Sequence, residues 1–338
     1  MKLLIVGISG GTHIGGSLLH AAQSFSYDAE LVDARLAYSG HWAWQKICWH
    51  LLGRRPSSPQ NLKDKILSSI KQATPDLFIS TGISPVGSDE LRQVKILGGK
   101  PVNYLTDDPW NLGLQDRRFI ATIPDYDIIF TPRRSLMDDL KSAGAKHIVY
   151  LPFGYDDRFF PGRNKSGVNE VEKTHDVSFV GGADHDRRPF LSAIADAGLS
   201  VVAFGNYWDR YSIRGVDVRG NVPHELIAEQ TRGARVILIL VRRANRDDHV
   251  MRTFEAAACG GCLLVEDTAE HREIFGDTVT YFQGHDDVVV KAKKLLKDAD
   301  LRRSLAEAST RRILHEGKHT YKDRLSTILA EVNRIRST

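Results

Sequence analysis

The sequence has little cysteine: three in 338 residues, an odd count that excludes a disulfide framework and suits a reducing compartment. It also lacks any apolar run near the roughly 18 residues that a bilayer span needs. The apolar run at 3–6 is too short for the core of a signal peptide. The expectation is a cytoplasmic protein without a transmembrane segment, in which the sequon-like Asn164-Lys165-Ser166 carries no glycan. A strong charge of either sign is missing too. Forty-six Lys and Arg against forty-two Asp and Glu leave +4, too small a surplus to indicate a nucleic-acid partner, although a local phosphate site stays open. No internal repeat of roughly 20 to 50 residues and no low-complexity segment appears. With 42% hydrophobic and 26% charged residues, disordered, collagenous and coiled-coil classes fail on composition.

What is present is an alternation of short apolar runs with helical stretches. Runs at 3–6, 29–32, 77–80, 102–105, 128–131 and 148–151 predict strands buried on both faces, the pattern of a parallel sheet covered by helices. A polar stretch over 158–174 interrupts the pattern, and strand candidates resume at 177–180, 201–204, 236–240, 262–265 and 279–282. The fold class is therefore α/β. The predicted domains are a Rossmann-like domain over 1–155, a linker over 156–174, a Rossmann-like domain over 175–316 and a terminal segment over 317–338. In such open sheets ligands bind beyond the carboxyl ends of the strands, and two units joined by one linker predict a cleft there. The last helix carries an apolar stripe, Leu325, Ile328, Leu329, Val332 and Ile335, that needs a surface to cover.

Four motifs invite over-reading. Gly7-Ile8-Ser9-Gly10-Gly11 after the first strand leads to a helix near Ser17, with Asp33 after the second strand, but its spacing departs from the dinucleotide fingerprint G-x-G-x-x-G. His315-Glu316-Gly317-Lys318-His319 matches H-E-x-x-H, yet Gly317 falls where a helix should end, which turns the two imidazoles apart. Cys259-Gly260-Gly261-Cys262 is half a zinc site without a second half and reads as a small-residue turn. Asp184-His185-Asp186 has the spacing of a metal-binding D-x-D and equally that of a helix cap. No metal site is expected.

The run Arg252-Thr253-Phe254-Glu255-Ala256-Ala257-Ala258-Cys259-Gly260, with Glu270, Glu273-Ile274-Phe275 and Thr320-Tyr321-Lys322-Asp323-Arg324 beyond it, resembles the carboxyl-terminal domain of the CgeB-like, spore-maturation type of glycosyltransferases. The first half is similar to that group in Asn103-Tyr104-Leu105-Thr106-Asp107-Asp108-Pro109-Trp110 and in Tyr150-Leu151-Pro152-Phe153-Gly154. The resemblance implies a GT-B fold, two Rossmann-like doubly wound domains facing each other across a cleft. It implies a glycosyltransferase using a nucleotide-diphosphate sugar as co-substrate, with no other cofactor, and retention of anomeric configuration. It further implies that the last helix crosses back onto the first domain. Glu255 matches the second Glu of an E-x7-E motif, whose expected role is to accept hydrogen bonds from ribose hydroxyls. The first position is Asp247 instead of Glu, which shortens the reach, and Asp248 stands ready to substitute.

The residue types agree with that chemistry. A nucleotide sugar asks for backbone N–H groups, fixed cations and a carboxylate. Gly181 and Gly182 end the first strand of the second domain, and Arg187 and Arg188 open the following helix. Arg252 precedes a helix whose first turn holds Glu255, with Thr253 between them. Arg188, Arg252 and the helix N-termini would stabilise the departing diphosphate and make a metal unnecessary. Val222-Pro223 is placed for backbone contact to the base. In the first domain Asp107 or Asp108, before Pro109, is positioned to act as general base, to bind sugar hydroxyls or to cap the turn. His13, beside Gly10 and Gly11, is a second base candidate. Trp42, Trp44 and Trp49, among basic residues, are read as stacking on an acceptor, lying on lipid headgroups, or covering a sheet. The acceptor class stays open: a glycan, a small molecule or a lipid-linked molecule. A sugar-nucleotide epimerase or hydrolase, and a non-catalytic nucleotide-sugar-binding protein, are the alternatives.

Overall fold

The computed structural model describes residues 1–336 apart from 12, 53–54, 112, 114–116, 161–172, 212 and 223–225. Most of the predicted linker, the Asn164-Lys165-Ser166 sequon, Arg54 and Pro223 lie outside the described residues. The chain divides into two compact units. One comprises Met1–Pro152, Ala244–Arg246 and Tyr321–Thr338, the other Phe153–Arg243 and Asp247–Thr320.

In the first unit six parallel strands are described: β1 (Lys2–Gly7), β2 (Asp28–Asp33), β3 (Leu77–Thr81), β4 (Lys100–Tyr104), β5 (Ile128–Thr131) and β6 (Ile148–Tyr150), in the order β2-β1-β3-β4-β5-β6. Every residue of β3 and β5 is buried, as a sheet covered on both faces requires. Leu4, Val6, Phe78 and Ile129 share a core with Leu62, Ile66 and Ile70 of the helix Pro59–Ala73. The last helix, Tyr321–Arg336, belongs to this unit and packs against the helix Ile14–Ser24. Leu325 and Ile328 of its stripe are fully buried. The helix Ile14–Ser24 begins before the expected Ser17, directly after the glycine turn.

A piece from far along the chain also folds with this unit. Arg246 donates from Nε and Nη2 to the Asp108 carboxylate, at 2.7 and 3.1 Å, and from Nη1 to Asp139 at 2.6 Å. Sequence bounds drawn at single cut points do not foresee such an excursion. The second unit also starts earlier than the predicted linker. The Tyr155 N–H donates to the His319 carbonyl at 3.0 Å, and Tyr155 bridges Thr320 in parallel fashion.

The second unit has β7 (His175–Val180), β8 (Val201–Phe204), β9 (Val216–Arg219), β10 (Ala234–Ile239), β11 (Leu263–Glu266) and β12 (Thr280–Phe282), parallel and ordered β12-β11-β10-β7-β8-β9. Val177, Phe179, Val236 and Leu238 pack with Phe190, Leu191 and Ile194 of the helix Arg188–Asp196. The strand β9 is a mostly exposed edge with the polar sequence Val-Asp-Val-Arg, so no apolar run announces it. Strand order reverses between β1 and β3 in one unit and between β7 and β10 in the other. Chains leaving the two strands at such a point diverge and open a crevice at the carboxyl end of the sheet.

Candidate functional site

At the β7/β10 reversal the crevice is a cavity of about 340 Å³ at the carboxyl ends of β7 and β8. Glycine makes the closest wall. Gly205, with φ +137°, is in a backbone region that side chains avoid, and a Cβ there would run into the Gly181 carbonyl. A Cβ on Gly181 would come within 2.9 Å of the Phe179 ring. The Gly181 N–H donates to the Phe204 carbonyl at 2.8 Å, and the Gly181 carbonyl accepts from the Trp208 indole at 2.8 Å. Gly182 and Ala183 continue the wall, and Asn206, Asn221 and Val222 face them. An adjoining hollow of about 180 Å³ lies past the end of β10, against Val250 and Met251. Arg187 and Arg252 line both spaces.

These two guanidinium groups are incompletely satisfied. Arg187 donates to the Gly182 carbonyl at 3.2 Å and more weakly to the Leu240 carbonyl at 3.4 Å, while its Nε faces the Asp184 carboxylate at 3.5 Å without a hydrogen bond. Burial lowers its pKa, with the Asp184 carboxylate opposing, so a charge is kept where desolvation disfavours it. Arg252 Nη1 lies 2.5 Å from Glu255 Oε2, but neither atom has a hydrogen-bond partner of proper alignment. Both are drawn from the helix Met251–Ala258, buried from Thr253 onward, where Ala256, Ala257 and Ala258 keep it slim. Burial pushes the Glu255 carboxyl up to about 7, against the Arg252 charge and with help from Asp156. The carboxyl is 1% exposed, so this is a poised acid held one helical turn from a cation.

Of the residues assigned to a donor, Gly181, Gly182, Arg187, Val222 and Arg252 line the cavity, and Glu255 backs Arg252. Three assignments need correction. Arg252 lies inside the first turn of its helix, one residue past Met251, instead of preceding it. Arg188 is outside the lining, with its guanidinium 5.8 Å from the Tyr211 ring. Thr253 is buried away from the cavity and sits 3.0 Å from His271 Nε2. His271 is kept neutral, its pKa lowered to about 3 by burial. Since its Nδ1 meets the Glu266 carbonyl at 3.0 Å, Nδ1 carries the proton and Nε2 accepts from Thr253.

The acids after β10 have structural partners. Asp248 accepts the Glu270 N–H at 3.3 Å, and its carbonyl accepts from the Thr268 hydroxyl at 2.5 Å, at the start of the helix Ala269–Phe275. Asp247 is half-buried and outside the lining of both cavities. Sequence reasoning missed His249, buried beside Phe153 and Glu270. Its Nε2 accepts the Phe153 N–H at 3.1 Å, which leaves the proton on Nδ1, 2.5 Å from Glu270. It missed Arg242, Asn206, Tyr207 and Asn221 as well, because polar loop residues without a motif look like solvent-facing ones.

In the first unit Asp107 and Asp108 differ sharply. Asp108 is buried, holds Arg246 with both oxygens and accepts the Trp110 N–H at 2.9 Å, so it caps the turn and anchors a cation. Among the described residues Asp107 has only long hydrogen-bond contacts, 3.3 Å from Asn245 Nδ2 and 3.4 Å from the Thr106 hydroxyl. The glycine turn at the β1/β3 reversal is filled by the protein itself. Gly10 and Gly11 take φ of +80° and +56°, and Ser9 donates its hydroxyl to Asp33, which also binds Arg35. His13 is exposed at the N-cap position of the next helix. Trp42, Trp44 and Trp49 are exposed, which overturns the reading of a helix covering a sheet.

The over-read motifs resolve by geometry. The helix Ala299–Arg311 passes into a π-turn, Arg312–Glu316, that ends at Gly317, and the His319 ring turns back against Gly317 and 5.3 Å from Phe254. Asp184 accepts the Arg187 N–H at 2.8 Å, closing the turn that leads into the helix Arg188–Asp196. Cys259 and Cys262 are buried at a helix-to-strand turn. Among the described residues no three His, Cys, Asp or Glu side chains converge as a metal site requires. No helix among them is long and apolar enough to cross a membrane.

Residues 187–330 match a family model described as glycosyl transferase-like. A search among curated proteins finds no match. Over its whole length the chain is similar to solved GT-B structures. Sucrose-phosphate synthase from Thermosynechococcus elongatus gives a TM-score of 0.69 at 10% identity, covering 99% of this chain and 100% of that one. T4 phage BGT, in complex with its UDP-glucose substrate, gives 0.63 at 14% identity, covering 97% and 99%. AviGT4, a glycosyltransferase involved in avilamycin A biosynthesis, gives 0.60 at 15% identity, covering 97% and 96%. The fold is thus GT-B, and the family match falls on residues 187–330.

Proposed function

We propose that this chain is a glycosyltransferase of the CgeB-like type that carries a sugar from a nucleoside diphosphate sugar to an acceptor hydroxyl. One observation carries the reading. At a single strand-order reversal, a cavity with glycine walls meets two half-buried guanidinium groups, whose Arg187 Nε and Arg252 Nη1 make no hydrogen bond, and one buried carboxyl. A diphosphate fits the first two needs and a ribose diol the third. Arg187 and Arg252 face the phosphate oxygens, and Glu255 turns from Arg252 to accept from ribose. As the glycosidic bond breaks, negative charge grows on the departing phosphate oxygen. The two cations and the N-terminus of the helix Met251–Ala258 stabilise it there. Fixed cations in that number make a divalent ion unnecessary, and the donor is the only small molecule the reaction consumes besides the acceptor. Retention of configuration rests on the resemblance alone. In the first unit Asp107, the loosely held acid, is assigned to the acceptor hydroxyl.

A thermal-shift panel of UDP, GDP and TDP with their sugars finds the donor, because saturating ligand raises stability by about 3 kcal/mol at a hundredfold excess over Kd. Turnover with the donor found is then followed with and without EDTA. Loss of nucleotide affinity in Glu255→Ala and unchanged turnover in EDTA support the reading. Donor consumption without any acceptor points to a hydrolase or epimerase instead. Unchanged nucleotide affinity in Glu255→Ala sinks the assignment.

A further inference from the structure

We propose that the helix Trp42–His50, with Leu51 and Leu52 directly after it, forms a docking face for an anionic lipid surface. Among the described residues, eight of the sixteen exposed large hydrophobic side chains fall within 36–52. Trp42 is 64% exposed and Leu51 77%, with Trp44, Ile47, Trp49 and Leu52 exposed beside them. Cys48 is the one buried residue of the helix. Clustering on this scale in a molecule whose cores are well filled marks an interaction surface.

Composition identifies the occupant. From 34 to 63 the chain has no Asp or Glu. Arg35 and Lys63 at the ends are paired with Asp33 and Asp89, which leaves Lys46 and Arg55 as the basic residues of the patch among the described residues. On a helix Trp42, Lys46 and Trp49 follow one another at spacings of four and three, on the face opposite Cys48. Lys46 Nζ lies 5.0 Å over the Trp42 ring. Indole rings at headgroup depth, aliphatic side chains below them and lysine reaching up to phosphate are the composition of an interfacial helix. A second copy of the chain fits poorly, since two basic faces repel. A nucleic acid would meet the cations but leave Ile47 and Leu51 in water. The helix Trp42–His50 spans only nine residues, so the contact is weak, reversible and salt-sensitive. The inference does not depend on the proposed transfer reaction.

The test is co-sedimentation of the full chain with vesicles of phosphatidylcholine alone and of phosphatidylcholine mixed equally with phosphatidylglycerol. The expected result is binding about tenfold or more tighter to the anionic vesicles, weakened by salt, with a blue shift of tryptophan emission. Trp42→Ser with Trp49→Ser, and separately Lys46→Glu, lower binding about tenfold while unfolding temperature and nucleotide affinity stay as in the parent. Equal partition to both vesicle types overturns the proposal, as does parent-like binding by the double variant. So does a concentration-dependent dimer that the double variant abolishes, which assigns the face to a second copy.

Discussion

The two units each carry a glycine turn after the first strand at a strand-order reversal, and they use it in opposite ways. After β1, Ser9, Asp33 and Arg35 close on one another. Burial alone would raise the Asp33 carboxyl, yet hydrogen bonds from Arg35 and Ser9 hold it far below the ordinary carboxylate range. After β7, Gly181 and Gly182 open onto a cavity in which Arg187 Nε and Arg252 Nη1 each have an ion-pair neighbour but no hydrogen bond. A glycine turn therefore says only that backbone comes close to something. Whether donors around it are already spent decides between a sharp corner and a binding site.

The largest expected effect separates the two turns directly. Glu255→Ala or Arg252→Ala should weaken nucleotide binding by about a hundredfold or more in calorimetry, because each removes one member of a buried pair and strands the other. Asp33→Ala should leave that affinity unchanged, and equal losses would erase the contrast. Next, Gly205→Ala should lower stability by several kcal/mol in thermal unfolding, since its Cβ meets backbone, whereas Gly10→Ala should cost about 1 kcal/mol. Similar shifts for both would mean that the β7 turn is no tighter than the β1 turn.

A third effect follows from the sign of one titration. The folded-state carboxyl of Glu255, at about 7, lies above its ordinary 4.5, so the folded chain binds the extra proton between those values. Glu255's contribution to stability is thus largest below pH 4.5 and falls as pH rises towards 7. A ribose that donates to the carboxylate favours its ionised form, so nucleotide affinity should rise through pH 7 with net proton release, by calorimetry in two buffers of different ionisation enthalpy. Flat affinity would place Glu255 away from the ligand. The smallest effect is Arg35→Ala, whose pair with Asp33 is largely exposed and should contribute no more than about 1 kcal/mol to thermal stability.

Much of the architecture was legible because it rests on local pattern. Apolar runs such as 77–80 mark strands buried on both faces, and the stripe through Leu325 and Ile328 marks a helix that covers something. Gly181, Arg187 and Arg252 were legible because a strand end, a helix start and a small-residue helix each have a sequence signature. What pattern does not encode is where distant pieces meet. Arg246 binding Asp108 and Asp139, and His249 binding Glu270 and the Phe153 N–H, join residues tens of positions apart or more. Arg188 and Thr253 were misplaced for a related reason. Along a helix, neighbours in sequence point in different directions, so one residue of a motif faces the cavity while the next faces the core or solvent. For Trp42 and Trp49 the hydrophobic side chain alone predicts burial, and only the surrounding fold reveals that none is provided.

The turn between Cys259 and Cys262 has a practical consequence. Burial pushes the two thiols up to about 12 and 11, and Cys48 is buried as well, so the folded chain offers alkylating reagents no reactive thiolate at the first two and no access to the third. A single cysteine introduced at a surface position would then take up a maleimide dye or spin label selectively, without any native cysteine being removed. Distance measurements between such labels on the two units need no cysteine-free background.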